Sequence, residues 1–472
     1  MKKIMLIFTV VAMAAGLAGC GKESKEKSDN IYSAGELSEG SDGNSNGYSE
    51  GGQSGEEDGT QNDASAEGLV LLCKDYDASC GNGVGYYYLT CDTTVDGAAV
   101  YRLMYMDYAS EQEVYLCNRP GCDHNSEGCN AFFTYDEIGG NSEIFLYDGY
   151  LWLLSKDYDQ DGVISMNYLG DDGSVLDTSE TAKLYRMNLD GTDRTGVYSF
   201  AENITVEDAV IGGEGALYFI VKQLSSERGE NGEEFVTSSE KKLISVDTDT
   251  WEETEICKPD SELSFVGVWA DTLVFQHTIF EDELSFDAML DDDAYADAWA
   301  KSSCEFVTLN MDDLTWNTIA ALPNGEYESN AGEVYGGFLY VHTGADRKVI
   351  RYDLKTGASN ELAEMNEGSF RGILDGVLWF TDFSTGKNYF IDTASGEVRC
   401  SALTTLTLGW HIDIVAATED DYLVIYDYIA QDNGDGSYNI SRYCHALIRK
   451  EDFENGIANY RPIDMISTGS VG

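Results

Sequence analysis

The chain has 472 residues, with 85 Asp and Glu against 29 Lys and Arg, which gives a formal net charge of −56. A surface of that sign repels nucleic acid and the anionic face of a membrane, so neither is expected to bind the folded part. Hydrophobic residues make up 43% of the chain and only four residues are proline, a composition that suits a large core of many fully paired strands.

At the N-terminus, Lys2 and Lys3 precede the apolar run IMLIFTVVAMAAGLA, the pattern of a secretory signal. The run falls short of the roughly 18 residues that a membrane span needs. It ends in LAGC, Leu17 to Cys20, which resembles the lipobox of bacterial lipoproteins. That resemblance implies a signal peptide over 1–19, cleavage after Gly19 and a lipid-modified Cys20. The chain is then held at the cell membrane by its N-terminal lipid alone and faces the outside. Residues 20–66 are dominated by Ser, Gly, Glu, Asp and Asn, with almost nothing to bury, and read as a disordered tether. Its expected r.m.s. reach is about 40 Å. The GNSNG stretch at 43–47 matches the pattern of a nucleophile elbow, but it lacks the strand and helix that such an elbow requires.

From residue 67 to 472 a unit recurs. Apolar strands opened by a turn, such as GVGYYYLTC (83–91), DGYLWLLSKD (148–157) and DGVLWFTDF (375–383), alternate with strands that run into a polar turn, such as LYRMNLDGTD and VIRYDLKTGASN. A further short strand flanks each side, so the unit is four strands with turns between them, the pattern of a propeller blade. Seven copies are counted, marked by Asp or Asn at 107, 188, 247, 310, 353 and 392 and by Lys450 in the last. The expected fold is all-β, a β-propeller of about seven four-stranded blades, with six or eight as the adjoining counts. An array of β-sandwiches is the competing architecture, for which the unit is too short. Signal, tether and repeats together resemble the uncharacterised propeller-bearing surface lipoproteins of Gram-positive bacteria, whose blades are similar to Tol-type propellers. That resemblance implies architecture and location and brings no catalytic residue with it.

Labelling the strands a to d from the axis outward puts the d–a and b–c connections on one face. Three unusual stretches are expected there. The first, YLCNRPGCDHNSEGCN (115–130), carries Cys117, Cys122, His124 and Cys129 and follows the fourth strand of blade one. Three thiolates and an imidazole complete a closed tetrahedral set for structural zinc. Disulfides are the alternative in an exported chain, with Cys73, Cys80 and Cys91 available upstream. The second, DYDQDGVIS, offers Asp157, Asp159, Asp161, the carbonyl of Val163 and the hydroxyl of Ser165 to calcium, with Gly162 for the turn. Position twelve is Tyr168 where an EF-hand has Glu, so a plain polar hairpin is the other reading. The third, 281–304, carries apolar residues at helical spacing (Phe286, Met289, Leu290, Ala296, Trp299) and is expected to be a helix. Cys257, Cys304, Cys400 and Cys444 read as small buried hydrophobes, and His277, His342, His411 and His445 as core or rim residues.

No P-loop or dinucleotide fingerprint appears in a supporting context, and no carboxylate pair stands out among so many acids. The expectation is a lipid-anchored extracellular binding or interaction module whose ligand is a glycan, a peptide or a protein. An extracellular glycan hydrolase or lyase with its site in the central funnel is the alternative.

Overall fold

The computed structural model describes residues 68–471, apart from 75–77, 96–97, 139–140, 157–180, 202, 229–233, 282–291, 326–328 and 435–436. Its strands form seven antiparallel sheets, each containing four strands consecutive in the chain. Blade I comprises β2 (Ser79–Gly81), β3 (Gly85–Val95), β4 (Ala98–Asp107) and β5 (Gln112–Tyr115). Blades II to VII span 141–199, 204–257, 264–323, 331–364, 369–401 and 413–462. The fold is a seven-bladed β-propeller.

The reason is visible in strand b of blade I. Tyr87 and Leu89 pack toward blade II, while Tyr86 and Tyr88 pack toward blade VII. Successive side chains point to opposite faces of a strand, and both faces of a blade are covered. The b strands are therefore apolar throughout instead of alternating. In blade III, Leu217, Phe219 and Val221 face blade II, while Ile220 and its partly buried neighbour Tyr218 face blade IV. Seven inter-blade cores result, one at each junction, and the core between blades VII and I closes the ring.

The repeated Asp or Asn has a local task. In blades I and III to VI it ends strand c, and its side-chain oxygen caps the turn into strand d by accepting backbone N–H bonds, whereas Asn188 of blade II donates to Thr192 and Asp193. Asp247 accepts from Asp249 and Thr250, Asp353 from Lys355 and Thr356, and Asp392 from Ala394 and Ser395. Four residues on, the chain turns left-handed at Glu111, Trp251, Leu314, Gly357 and Gly396, with φ between 56° and 74°. In blade VII the turn is replaced by a short helix, Lys450–Glu454. The a–b turns are equally tight, with Asp148–Gly149 and Asp375–Gly376 left-handed at both positions, as a two-residue hairpin requires. One face of the ring is thus made of short turns. The longer connections lie on the other face: the insertion between strands b and c of blade IV, the 402–412 segment, and the hairpin arms of blades III and VII.

Three features depart from the sequence reading. The first strand, β1 (Val70–Lys74), precedes blade I but pairs with the innermost strand of blade III, adding a fifth strand on the axial side. Leu69 bridges to Ala270 of blade IV, and the Cys73 thiol donates to Glu143 of blade II, at 3.3 Å, within a fully buried Glu143–Lys156 ion pair. Of the expected helix over 281–304, Asp292–Trp299 is helical and Ser303 onward belongs to a strand, while 282–291 lie outside the described residues. Of the four scattered cysteines, Cys304 is buried, Cys257 and Cys444 are half-buried and Cys400 is exposed on an outer strand. No described helix is long and apolar enough to cross a membrane.

His445, on strand c of blade VII, is enclosed beneath the C-terminal segment, and its Nδ1 has no hydrogen-bond partner. Burial pushes the imidazole down to about 4, with the Tyr443 backbone acting the other way. The folded value lies below the ordinary 6.5, so the unfolded chain binds more protons between these limits and stability falls as pH drops through that window. The turn carboxylates titrate lower; the Ser384 and Thr385 hydroxyls, against some burial, hold Asp382 at about 2. The melting temperature should therefore fall as pH drops from 6.5 to 4. His445→Leu should flatten that slope whatever it does to absolute stability, and an unchanged slope would remove His445 from the account.

Candidate metal centre

The Cys/His segment is not a d–a connection. Both β5 and β6 (Phe132–Thr134) pair with β4, at Met104–Asp107 and at Val100–Arg102 respectively. They are two halves of one outer strand, and residues 116–131 bulge out between them. An outermost strand is paired on one side only, so it can be interrupted at little cost in ladder bonds. The loop therefore sits at the rim where blade I meets blade II, away from the face with the long connections, and the expectation that it shares that face is corrected.

Short turns gather the loop. Cys122 N–H donates to Arg119 O and Cys129 N–H to Ser126 O, at 3.3 and 2.8 Å. Gly121 and His124 are both left-handed, with φ of 71° and 57°. Histidine tolerates this region better than most side chains, and here it reverses the chain between Cys122 and Cys129. The ligand atoms of Cys117, Cys122, His124 and Cys129 all lie within 4.8 Å of one another, and His124 Nδ1 is 3.3 Å from Cys129 Sγ. Cys117, Cys122 and Cys129 are free thiols. This set could hold a metal ion with four protein ligands.

The surroundings hold the loop in place. The His124 ring stacks on Tyr115 at 4.3 Å. Buried Arg102 donates to Asn125 at 2.8 Å and lies over Phe132. Asn118 reaches Asp190 of blade II at 3.0 Å, and Arg194 of blade II donates to Phe132 O at 2.8 Å. The electrostatics of His124 and Cys117 suit ligation. Burial and the nearby Arg102 charge lower the His124 pKa against the pull of Asp123, which favours a neutral ring. At Cys117, burial works to raise the pKa but is outweighed by backbone N–H bonds from Arg119 and Asn130 and by the neighbouring thiols, so the thiolate is favoured. Burial pushes the Cys129 thiol up to about 12. A cation is the natural counterpart of so many converging sulfurs.

Asp157, Asp159, Asp161, Val163 and Ser165, the calcium reading, lie outside the described residues, as does Cys20. His277 pairs with Glu305, His411 with Asp413, and His342 with the Met365 carbonyl. None of these joins the Cys/His set. Arg102, Tyr115 and Asn125 escaped the sequence reading. An arginine in the middle of the apolar strand VYRLMYM was the available signal.

No protein-family model and no curated protein matches the sequence. Among solved structures, the chain is similar to an oligogalacturonate lyase in complex with manganese, at 13% identity and a TM-score of 0.36 over 79% of this chain and 84% of the lyase. It is also similar to the Pyrococcus horikoshii acylaminoacyl peptidase, at 11% identity and a TM-score of 0.44 over 78% of this chain and 52% of the peptidase. A third is the Porphyromonas gingivalis dipeptidyl peptidase 4, at 11% identity and a TM-score of 0.43 over 86% of this chain and 60% of the other. The chain spans about half the length of those peptidases. No activity of these proteins is carried over to it.

Chelation experiments test the centre. The protein purified without reductant should carry about one metal ion per chain, and the three loop thiols should react with a maleimide only after chelation or unfolding. His124→Ala should loosen the ion while leaving the sulfurs in place. Metal-free protein whose intact mass shows bridged loop cysteines would replace the ion with a covalent staple.

Proposed function

We propose that the chain is a lipid-anchored, outward-facing propeller of the Gram-positive surface-lipoprotein type, which binds a ligand with its loop-bearing face and is stapled at the rim by structural zinc. The observation that carries the binding reading is the asymmetry of the ring: short turns on one face, long connections on the other. Contact residues concentrate on loops held by a rigid scaffold. Zinc is favoured by the ligand set, three sulfurs and one imidazole, with no position left for water or substrate. That composition also assigns the centre a structural role rather than a hydrolytic one. The anchor is supported by the LAGC sequence at 17–20.

The enzyme reading places a site in the central funnel. The axial side of blade III carries β1, with Leu69 and Cys73 buried against blades IV and II, so the chain's own strand takes up part of that space. This favours the binding face over the funnel.

The anchor is tested in cells. Cys20→Ala should abolish incorporation of a radiolabelled or clickable fatty acid and shift the protein from the membrane fraction to the medium or to an unprocessed precursor. Unchanged lipid labelling would remove the lipoprotein reading and leave the propeller to be explained as a soluble or otherwise attached domain.

A further inference from the structure

On the loop-bearing face, blades VI and VII carry apolar side chains in water on loops that are held rigidly. Leu406 is 68% exposed, Phe383 53%, Ile429 52%, and Trp410 and Tyr438 40% each. They lie on three adjoining pieces: the turn after Asp382, the 402–412 connection and the hairpin arm of blade VII. The turn touches the connection at Gly386, where an added Cβ would lie 3.0 Å from Thr404 and 3.4 Å from His411 N.

The connection is fixed from below. Asn388, fully buried, accepts from Trp379 Nε1 at 2.9 Å and Thr381 Oγ1 at 2.8 Å, and donates to Ile412 O at 2.9 Å. Thr405 and Trp410 exchange two hydrogen bonds, Thr405 N–H to Trp410 O at 2.8 Å and Trp410 N–H to Thr405 Oγ1 at 2.9 Å. Thr407 docks on the hairpin arm, giving its N–H and O–H to the two oxygens of Asp427 at 2.8 and 3.0 Å. A loop held this firmly does not fold its apolar tips away, and preorganised apolar groups of this kind are what contact surfaces use.

The surroundings of the rings point to the partner. Two of the exposed rings have a carboxylate nearby: Asp427 holds the Trp410 loop, and Asp432 lies directly across the hairpin from Tyr438. The rings do not form a flat row. Trp410 stands at 84° to Tyr438 and at 62° to Tyr428, making a corner that suits a compact cationic head better than the broad face of a sugar. The chain itself shows the mode. Arg371 lies 5.5 Å from the Phe383 ring and 5.2 Å from Trp379, with its guanidinium 3.4 Å from Asp413. A ring under the cationic head and a carboxylate at its edge is how this arginine is held. The overall charge of −56 adds long-range attraction for the same kind of partner.

We infer that this surface of blades VI and VII binds a basic peptide segment, with Lys or Arg side chains set in the corner of Trp410 and Tyr438 and their charge near Asp427 and Asp432. The inference rests on the reading of the loop-bearing face as a binding face and names its partner class.

The test uses the full-length protein in detergent, with a peptide of alternating Arg and Leu, its Glu-for-Arg counterpart, and a set of neutral oligosaccharides, followed by calorimetry and tryptophan fluorescence. The Arg peptide should bind and quench or shift tryptophan emission, and the Glu peptide should not bind. Trp410→Ala should weaken binding about tenfold. Tyr438→Ser and Asp432→Asn, both exposed, should weaken it as well and guard against a Trp410 variant that misfolds. Val398→Ser, exposed on the outer strand of blade VI, should leave binding unchanged. If the Arg peptide binds equally to all variants and is released by moderate salt, the attraction is only the global charge and the proposed surface is wrong. If an oligosaccharide binds and Trp410→Ala abolishes it, the binding face stands and the basic partner falls. If neither class binds, both the partner and the binding-face reading fail.

Discussion

Closure of the ring between blades VII and I is the constraint on which the rest depends. Every blade is built from strands consecutive in the chain, so among the described residues no strand donated from one end to the other locks the circle. Instead the C-terminal segment leaves the short outer strand of blade VII and runs parallel to β5, with Asp464 bridging Gln112. Glu113 captures it: the buried carboxylate accepts from the backbone N–H groups of Ile466 and Ser467, from the Ser467 hydroxyl and from Tyr88. Four hydrogen bonds converge on this one buried side chain, which ties the C-terminal segment to blade I beyond the apolar core of the junction. His445 lies under the same segment, so the seam also contains a buried imidazole that must stay neutral.

A closed ring of two-sided blades leaves little freedom elsewhere. Each sheet spends both faces on its neighbours, and polar chemistry is pushed to the turns and to the rim. The Asx-capped c–d turns and two-residue a–b turns finish one face with minimal chain. The opposite face and the outermost strands are where the chain can be lengthened without disturbing a core. The Cys/His bulge takes the second route and the Trp410 connection the first. Both are braced from the propeller, the bulge by Arg102 and Arg194 and the connection by Asn388, so both reach the solvent already ordered.

How much of this was legible follows from how local each cause is. The turn-capping Asp and Asn residues could be read directly, because an Asx turn is made within four residues, and they gave the blade number. The grouping of Cys117, Cys122, His124 and Cys129 was legible from spacing for the same reason. Its place was not. QEVY and FFT look like the end of one blade and the start of the next, and only their shared partner β4 reveals them as halves of a single strand. The β1 strand was invisible for a related reason: VLLCK is a plausible strand, but nothing in it selects blade III among seven. The aromatic surface of blades VI and VII was missed because exposure is a tertiary property. Trp410 and Tyr438 look like core residues in sequence, and they meet only because two loops and a hairpin arm converge.

The account stands on the claim that a ring sealed by Glu113 and the C-terminal segment orders both the rim centre and the binding face. Amide hydrogen exchange resolved by peptide, compared between the native protein and Glu113→Ala, tests it most directly. The account predicts that protection is lost first in residues 463–471 and in the facing strands of blades I and VII, around Tyr86–Met106 and Leu423–Leu447, while blades III to V keep theirs. Protection unchanged at that seam, or lost evenly around all seven blades, would contradict it.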